Sequence, residues 1–278
     1  MAKRNRATTQ KAITKRKKEG RGCGKTHEYK PYVHIQDVPS LGLATRVKGW
    51  KTEREHHFLS KLEWYYFYTL EWSPVVIDIR EQYPLDLAET LAIAKQLGTR
   101  HPTDPTTQQP VVMTTDFLNT VKKGIETVEH ARSVKYKSDL SKPRVLQKLE
   151  IERIYWEVRN IDWGIVTDDD VDPILVANIK WIHHHRNAAD LLPLTGDLIA
   201  RVEAVLTPRV IEDNAPLRDL TDACDDRLGL SPGSSLTVVR HLLANRRWQV
   251  NMYKPIHALE RVVLMSMPTI YAEQEQRS

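Results

Sequence analysis

Two stretches of this chain read as helices, and each carries a carboxylate inside an apolar row. Between Thr52 and Trp72 the residues Leu59, Glu63, Phe67 and Leu70 recur at helical spacing. Between Lys142 and Asn160, where Pro143 suits a first turn, Leu146, Glu150 and Ile154 form a second such row. An ionised carboxylate turned toward a core is costly unless a cation or hydrogen-bond donors compensate it. For Glu63 alone, a structural ion pair and a bound metal would serve equally well.

The segments between and after these helices supply the partners. Residues 75–79 are β-branched and short, 88–97 read as a helix, and 101–110 form a loop rich in Pro, Thr and Gln. Residues 111–121 and 127–136 read as strands joined by a turn at Lys123-Gly124, and 163–166 as a buried strand. Helix, three strands, helix and strand predict a compact α/β core. Asp116 interrupts the first strand of the pair near its middle. In the next strand Ala131, Ser133 and Lys135 share one face, and paired strands lie about 5 Å apart, so Asp116 and Lys135 can enter one pocket. Separate structural excuses for Glu63, Asp116, Lys135 and Glu150 become less credible together.

A glutamate, an aspartate on one strand and X-X-Lys on the next resemble the pattern of restriction-endonuclease-like nucleases, although Thr115-Asp116 replaces the usual Pro-Asp and Ser133 stands where many relatives carry Glu or Gln. The surrounding segments are more specific. Glu19-Gly20-Arg21-Gly22, Ile35-Gln36-Asp37-Val38-Pro39-Ser40, His56-His57-Phe58-Leu59-Ser60 with Leu62-Glu63, and Leu70-Glu71-Trp72 resemble the TnsA family in order and spacing. So do Asp78 through Pro84, Thr115 through Leu118, Val134-Lys135, Lys148-Leu149-Glu150 and Glu152-Arg153 with Tyr155-Trp156. The likeness is strong over residues 17–182 and looser beyond.

This resemblance implies a mixed sheet flanked by helices and metal-dependent DNA cleavage, while the order of three helices and a strand near the end suits a smaller winged-helix-like C-terminal domain. Asp116 would bind Mg²⁺ directly, with Mn²⁺ able to substitute, while Glu63 and Glu150 would complete the sphere directly or through water. A hydroxyl is a poorer Mg²⁺ ligand than a carboxylate, so the Val134 carbonyl or a water would take the place that Ser133 fills weakly. Lys135 would hold the attacking hydroxide or offset developing charge. The family resemblance further implies cutting of the non-transferred strand at the 5′ transposon ends, beside a TnsB-like DDE transposase and under a TnsC-like AAA+ regulator. Two rival readings remain: a stand-alone nuclease of the same fold, and a catalytically silent DNA-binding adaptor.

Charge adds to this. The net charge of +5 is concentrated at the start, where Lys15, Arg16, Lys17, Lys18 and Arg21 belong to a cationic run opposed before the first Tyr only by Glu19 and Glu28. Residues 1–28 are therefore expected to be a basic arm that tracks phosphates, residues 29–188 the catalytic domain, and 189–278 the C-terminal domain with a partner-binding tail over 260–278. In that domain three helices followed by a strand over 248–253 would put Arg246 and Arg247 near phosphates. His183-His184-His185 cannot hold one metal jointly from a helix and reads as a solvated face. Asp168, Asp169, Asp170 and Asp172 suit a helix start better than a metal. Gly22-Cys23-Gly24-Lys25-Thr26 only ends like a phosphate-binding loop, since Glu19 replaces its first glycine. Two cysteines make no disulfide framework, no apolar stretch suits a membrane span, and the start is too basic for a secretory signal, so a cytoplasmic protein is expected.

Overall fold

The computed structural model describes residues 8–37, 45–191 and 195–265. The chain divides into two compact units, Met1–Val171 and Asp172–Ser278.

The first unit is built on a four-stranded mixed sheet. Strands β3 (Val76–Pro84), β4 (Thr114–Lys123) and β5 (Glu126–Val134) run antiparallel in order, and β6 (Asp162–Val166) joins β5 in parallel. One face carries α3 (Leu87–Gln96) and α4 (Pro143–Glu157), which bury Leu118, Ala131, Ile151, Tyr155 and Trp156 together. The other face receives α2 (Lys61–Trp72) through an aromatic cluster in which Phe58 and Phe67 lie 4.7 Å apart and Phe58 and Phe117 6.2 Å apart.

The helix expected from Thr52 begins only at Lys61. Ahead of it β1 (Thr45–Lys48) and β2 (Glu55–Phe58) form an antiparallel hairpin. His56 and Phe58 alternate with more open neighbours along β2 and are fully buried, a period-2 pattern hidden in what reads as a helical run. Ser60 stops the strand by capping α2, its hydroxyl accepting from the Glu63 N–H at 3.1 Å.

The expected basic arm is largely folded against this unit. Helix α1 (Gln10–Lys18) buries Ile13, and the chain after it runs along edge strand β3. Thr26 N–H donates to Asp78 Oδ1 at 3.1 Å, the Tyr29 hydroxyl to the Glu81 carbonyl at 3.1 Å, and Tyr32 N–H to the Gln82 carbonyl at 3.2 Å. A covered edge cannot recruit a foreign strand. At Gly22, φ is +81° and any Cβ would overlap the Pro84 ring, so the glycine is demanded by both backbone and packing.

The second unit is helical: α5 (Pro173–Ile182), α6 (Gly196–Glu212), α7 (Leu217–Leu228) and α8 (Ser234–Ala244). It begins earlier than the boundary expected near Ala189, because α5 belongs to it. Asn178 of α5 donates to the carbonyls of Met252 and Lys254 at 2.9 and 2.7 Å and accepts from Ile256 N–H at 3.0 Å. Asp172 caps α5 through Ile174 and Leu175 N–H, as expected of that acidic run. The strand expected over 248–253 is an irregular segment whose alternate residues Trp248 and Met252 are nonetheless buried. His183 is buried rather than solvated, leaving only His184 of the triplet fully open. Residues 266–278 of the expected tail lie outside the described residues.

Candidate active site

The end of the sheet where β4 starts and β5 finishes gathers charged groups from four elements. Asp116 on β4 and Lys135 just past β5 meet directly: Lys135 Nζ donates to Asp116 Oδ2 at 2.6 Å. Asp116 Oδ2 also accepts the Val134 N–H at 2.7 Å, and Lys135 Nζ donates to the Val134 carbonyl at 2.9 Å. Thus the Asp116 carboxylate and the Val134 carbonyl converge on a single cation, here the ammonium of Lys135.

Glu63 reaches the same place from the first turn of α2. It is buried, and its Oε2 accepts from the Leu59 N–H at 3.0 Å and from Gln82 Nε2 at 3.3 Å. Burial, and then the Asp116 charge, push its pKa up to about 7 despite the Leu59 N–H, Ser60 and Lys135. Burial opposes the charged form of Lys135, but Asp116, Glu152 and Glu63 outweigh it and hold the ammonium pKa above its ordinary value.

The glutamate that α4 supplies is Glu152 rather than Glu150. Glu150 faces outward with its side chain 43% exposed and forms an ion pair with Arg153 at 2.7 Å. Its expected row fails because Leu146 is itself exposed. The buried row is Leu149, Glu152 and Trp156, spaced i, i+3, i+7, and the same periodicity argument applied one phase further round the helix selects Glu152. Ser133 is fully buried and donates its hydroxyl to Glu152 Oε1 at 2.6 Å, so it orients that carboxylate. Burial, then Asp116, raise the Glu152 pKa to about 7, with Ser133, Lys135 and Thr115 pulling the other way.

Gln82 is a second residue the sequence reading missed. Its φ of +50° breaks the alternation of β3, and its amide bridges Glu63 and the Thr114 hydroxyl, which donates to Gln82 Oε1 at 3.0 Å. The segment Asp78 through Pro84 that carries the family resemblance contains it, but its site-facing position depends on a backbone conformation that strand alternation does not reveal.

The residues expected to meet DNA fare unevenly. Lys15, Lys17 and Lys18 are exposed on α1. Arg16 lies over the Tyr32 ring at 5.1 Å, and Arg21 is held by Asp37 and by Glu19, the latter at 2.7 Å, so Arg21 is committed to the fold. In the second unit Arg246 is exposed, whereas Arg247 pairs with Glu203.

Among the described residues no three His, Cys, Asp or Glu side chains stand close enough to chelate a metal by themselves. The donor set still fits a hard cation that takes oxygen ligands and keeps several waters, because Mg²⁺ requires only one or two carboxylates. Asp116 and the Val134 carbonyl already grip a cation jointly, and Glu63 and Glu152 stand beside them with insufficient positive charge.

The first unit is thus a mixed α/β fold with an aspartate–lysine pair and two buried glutamates at one end of its sheet. The chain belongs to the TnsA endonuclease family. Residues 73–168 match the family model described as TnsA-like endonuclease N terminal, and residues 170–252 the model described as TnsA endonuclease C terminal. It is 36% identical over 263 residues to the Transposon Tn7 transposition protein TnsA of Escherichia coli, across 93% of this chain and 92% of that protein. The protein is accordingly a DNA endonuclease of Tn7-like transposition. The two family models meet at residues 168–170, beside the structural division at Val171. Among the described residues no helix is long and apolar enough to cross a membrane.

Proposed function

We propose that this endonuclease hydrolyses the non-transferred strand at the 5′ ends of a transposon with Mg²⁺ as its cation, beside a TnsB-like DDE transposase that acts on the 3′ ends. The observation that carries the reading is the convergence of Asp116 Oδ2 and the Val134 carbonyl on one cation at 2.6 and 2.9 Å, with two undercompensated glutamates behind them. Asp116, the Val134 carbonyl, Glu63 and Glu152 would hold the metal directly or through its waters. A bound divalent cation supplies an activated water and stabilises the leaving oxygen of an in-line displacement. Asp116 anchors the arrangement because it is tied to both β5 and Lys135. Ser133 keeps Glu152 in place, and Gln82 with the Leu59 N–H keeps Glu63 in place. Asp116, Glu152 and Glu63 outweigh burial and favour the ammonium form of Lys135, which would place a positive charge beside the reacting phosphate.

The exposed lysines of α1 would track the DNA backbone. The second unit and the tail after Glu260 would dock a TnsC-like AAA+ regulator, with Val263 and Met265 exposed at its described start. Truncation after Glu260 is expected to weaken binding of that ATPase without affecting metal binding, and unchanged affinity would count against this role. The deciding experiment on function is strand-resolved cleavage of a plasmid carrying the transposon ends, with the cognate DDE transposase and Mg²⁺. Nicks at the 5′ ends that vanish with Asp116→Ala while 3′ cuts persist support the proposal. Absence of 5′ nicks from the wild type, with 3′ joining still enhanced, would replace it with the adaptor role.

A further inference from the structure

After α3 the chain carries Arg100 toward the start of α4, where Arg144 and Lys148 stand four residues apart and so share a face. With Pro102, Thr103 and Gln108 they line an open cavity of about 340 Å³. None of these three cations has a carboxylate partner among the described residues. Arg100 donates only to Thr103 Oγ1 at 3.2 Å and Gln108 Oε1 at 3.3 Å, and Arg144 only to Gln147 Oε1 at 3.0 Å. Their neighbours differ: Lys142 pairs with Asp139, Arg153 with Glu150 and Glu157, and Arg132 with Asp162. Burial, then the charges of Arg144 and Lys135, hold the Lys148 pKa below its ordinary value, as expected where positive charge accumulates without a counter-ion.

The position of this cavity is as informative as its charge. Lys148 precedes Glu152 by about one turn of α4 on the same face, about 6 Å along the axis, and feels the charge of Lys135, so the cavity flanks the Asp116–Lys135 site. Its lining offers guanidinium and ammonium donors with threonine and glutamine, and no aromatic surface for a base to stack on. Such donors suit phosphate oxygens. The cationic N-terminal segment is tied to the same loop: Thr8 N–H donates to Asp104 Oδ2 at 2.6 Å, and the Thr107 hydroxyl donates to the Thr8 carbonyl at 2.6 Å.

We propose that Arg100, Arg144 and Lys148 clamp a backbone phosphate of the DNA duplex beside the scissile one and thereby seat the cut strand over Asp116 and Lys135. This rests on the nuclease reading above. All three act as positioning residues that carry no base-sequence information.

The test compares the full-length wild type with the triple variant R100Q/R144Q/K148Q. Binding of short labelled duplexes, one of transposon-end sequence and one scrambled, is measured across a salt series in Ca²⁺, and strand-resolved nicking of the transposon-end plasmid is measured in Mg²⁺ with the cognate DDE transposase present. Loss of a phosphate contact is expected to weaken binding about tenfold on both duplexes alike and to flatten the slope of log affinity against log salt by about 1. Cleavage should show a raised KM with kcat largely retained, and the thermal midpoint should not move because the three side chains line an open cavity. Unchanged affinity and salt slope, with cleavage intact, would overturn the clamp and leave the nuclease standing. Weakening confined to the end sequence would also overturn it, because base readout would then be the cause. A wild type that makes no 5′ nicks even with the transposase present would remove both proposals together.

Discussion

Glu81 and the pair Glu63 and Glu152 are all buried, yet their surroundings drive them in opposite directions. Glu81 accepts two hydrogen bonds from Arg54, at 2.8 and 2.5 Å, together with His56 Nδ1 at 2.8 Å and the His57 N–H at 3.1 Å. Burial opposes its charge, but His56 and Arg54 overcome that and hold its pKa far below the usual carboxylate range. Glu63 and Glu152 have few donors, face Asp116 and share one lysine, and their pKa values rise to about 7. Burial of an acid therefore says little by itself about its role. A saturated carboxylate holds the fold together, while under the proposed function an undersupplied one would help receive the metal.

The largest expected separation between the two regions comes from removing their central acids. Asp116→Ala should lower nicking by at least about a thousandfold while the protein stays folded, as fits loss of an electrostatic centre on which the reaction depends. A residual rate within tenfold of wild type would take Asp116 out of the chemistry. Glu81→Ala should instead cost about 3–5 kcal/mol of stability, because Arg54 is left as an uncompensated buried charge. Chemical denaturation checks this, and an unchanged midpoint would break the structural half of the comparison.

A finer cut separates two glutamates on the same helix. Glu152→Gln should reduce nicking by about 10–100-fold, whereas Glu150→Gln should leave it near wild type, since its ion pair with Arg153 is exposed. Equal effects would mean that α4 presents a different face to the DNA.

The smallest effect lies in pH. The folded-state pKa values of Glu63 and Glu152 are raised, so their contribution to stability is fully present below the unfolded value near 4.5 and is lost as pH rises through about 7. Thermal midpoints of the metal-free protein should fall across that window, and Glu152→Gln should flatten the fall. A stability profile that rises from pH 5 to 8 with the same slope in both proteins would contradict the raised values.

How much of this was legible depended on periodicity. The meeting of Asp116 and Lys135 follows from strand alternation, which is rigid enough to read from residues alone. Helix phase is less determined: Leu146-Glu150-Ile154 and Leu149-Glu152-Trp156 are both apolar rows with an acid, and only packing on the sheet distinguishes them. The β1–β2 hairpin was hidden because His56 and Phe58 also fit a helical run into α2, and Ser60 with Glu63 was the overlooked start signal. The fold of residues 8–28 was missed because charge dominates their composition, while their anchors, Thr8 on Asp104 and Thr26 on Asp78, are tertiary. Gln82 depends on a left-handed backbone that glutamine does not advertise.

The most direct test of the account is calorimetric titration of Mn²⁺ into the full-length wild type, Glu81→Gln, Glu152→Gln and Asp116→Asn at a pH above 7, with folding checked for each. The account predicts binding by the wild type with release of protons, weakened binding by Glu152→Gln, none by Asp116→Asn, and wild-type affinity in whatever fraction of Glu81→Gln remains folded. Equal Mn²⁺ affinity in wild type, Glu152→Gln and Asp116→Asn would contradict it, because the undersupplied carboxylates would then have no cation to receive.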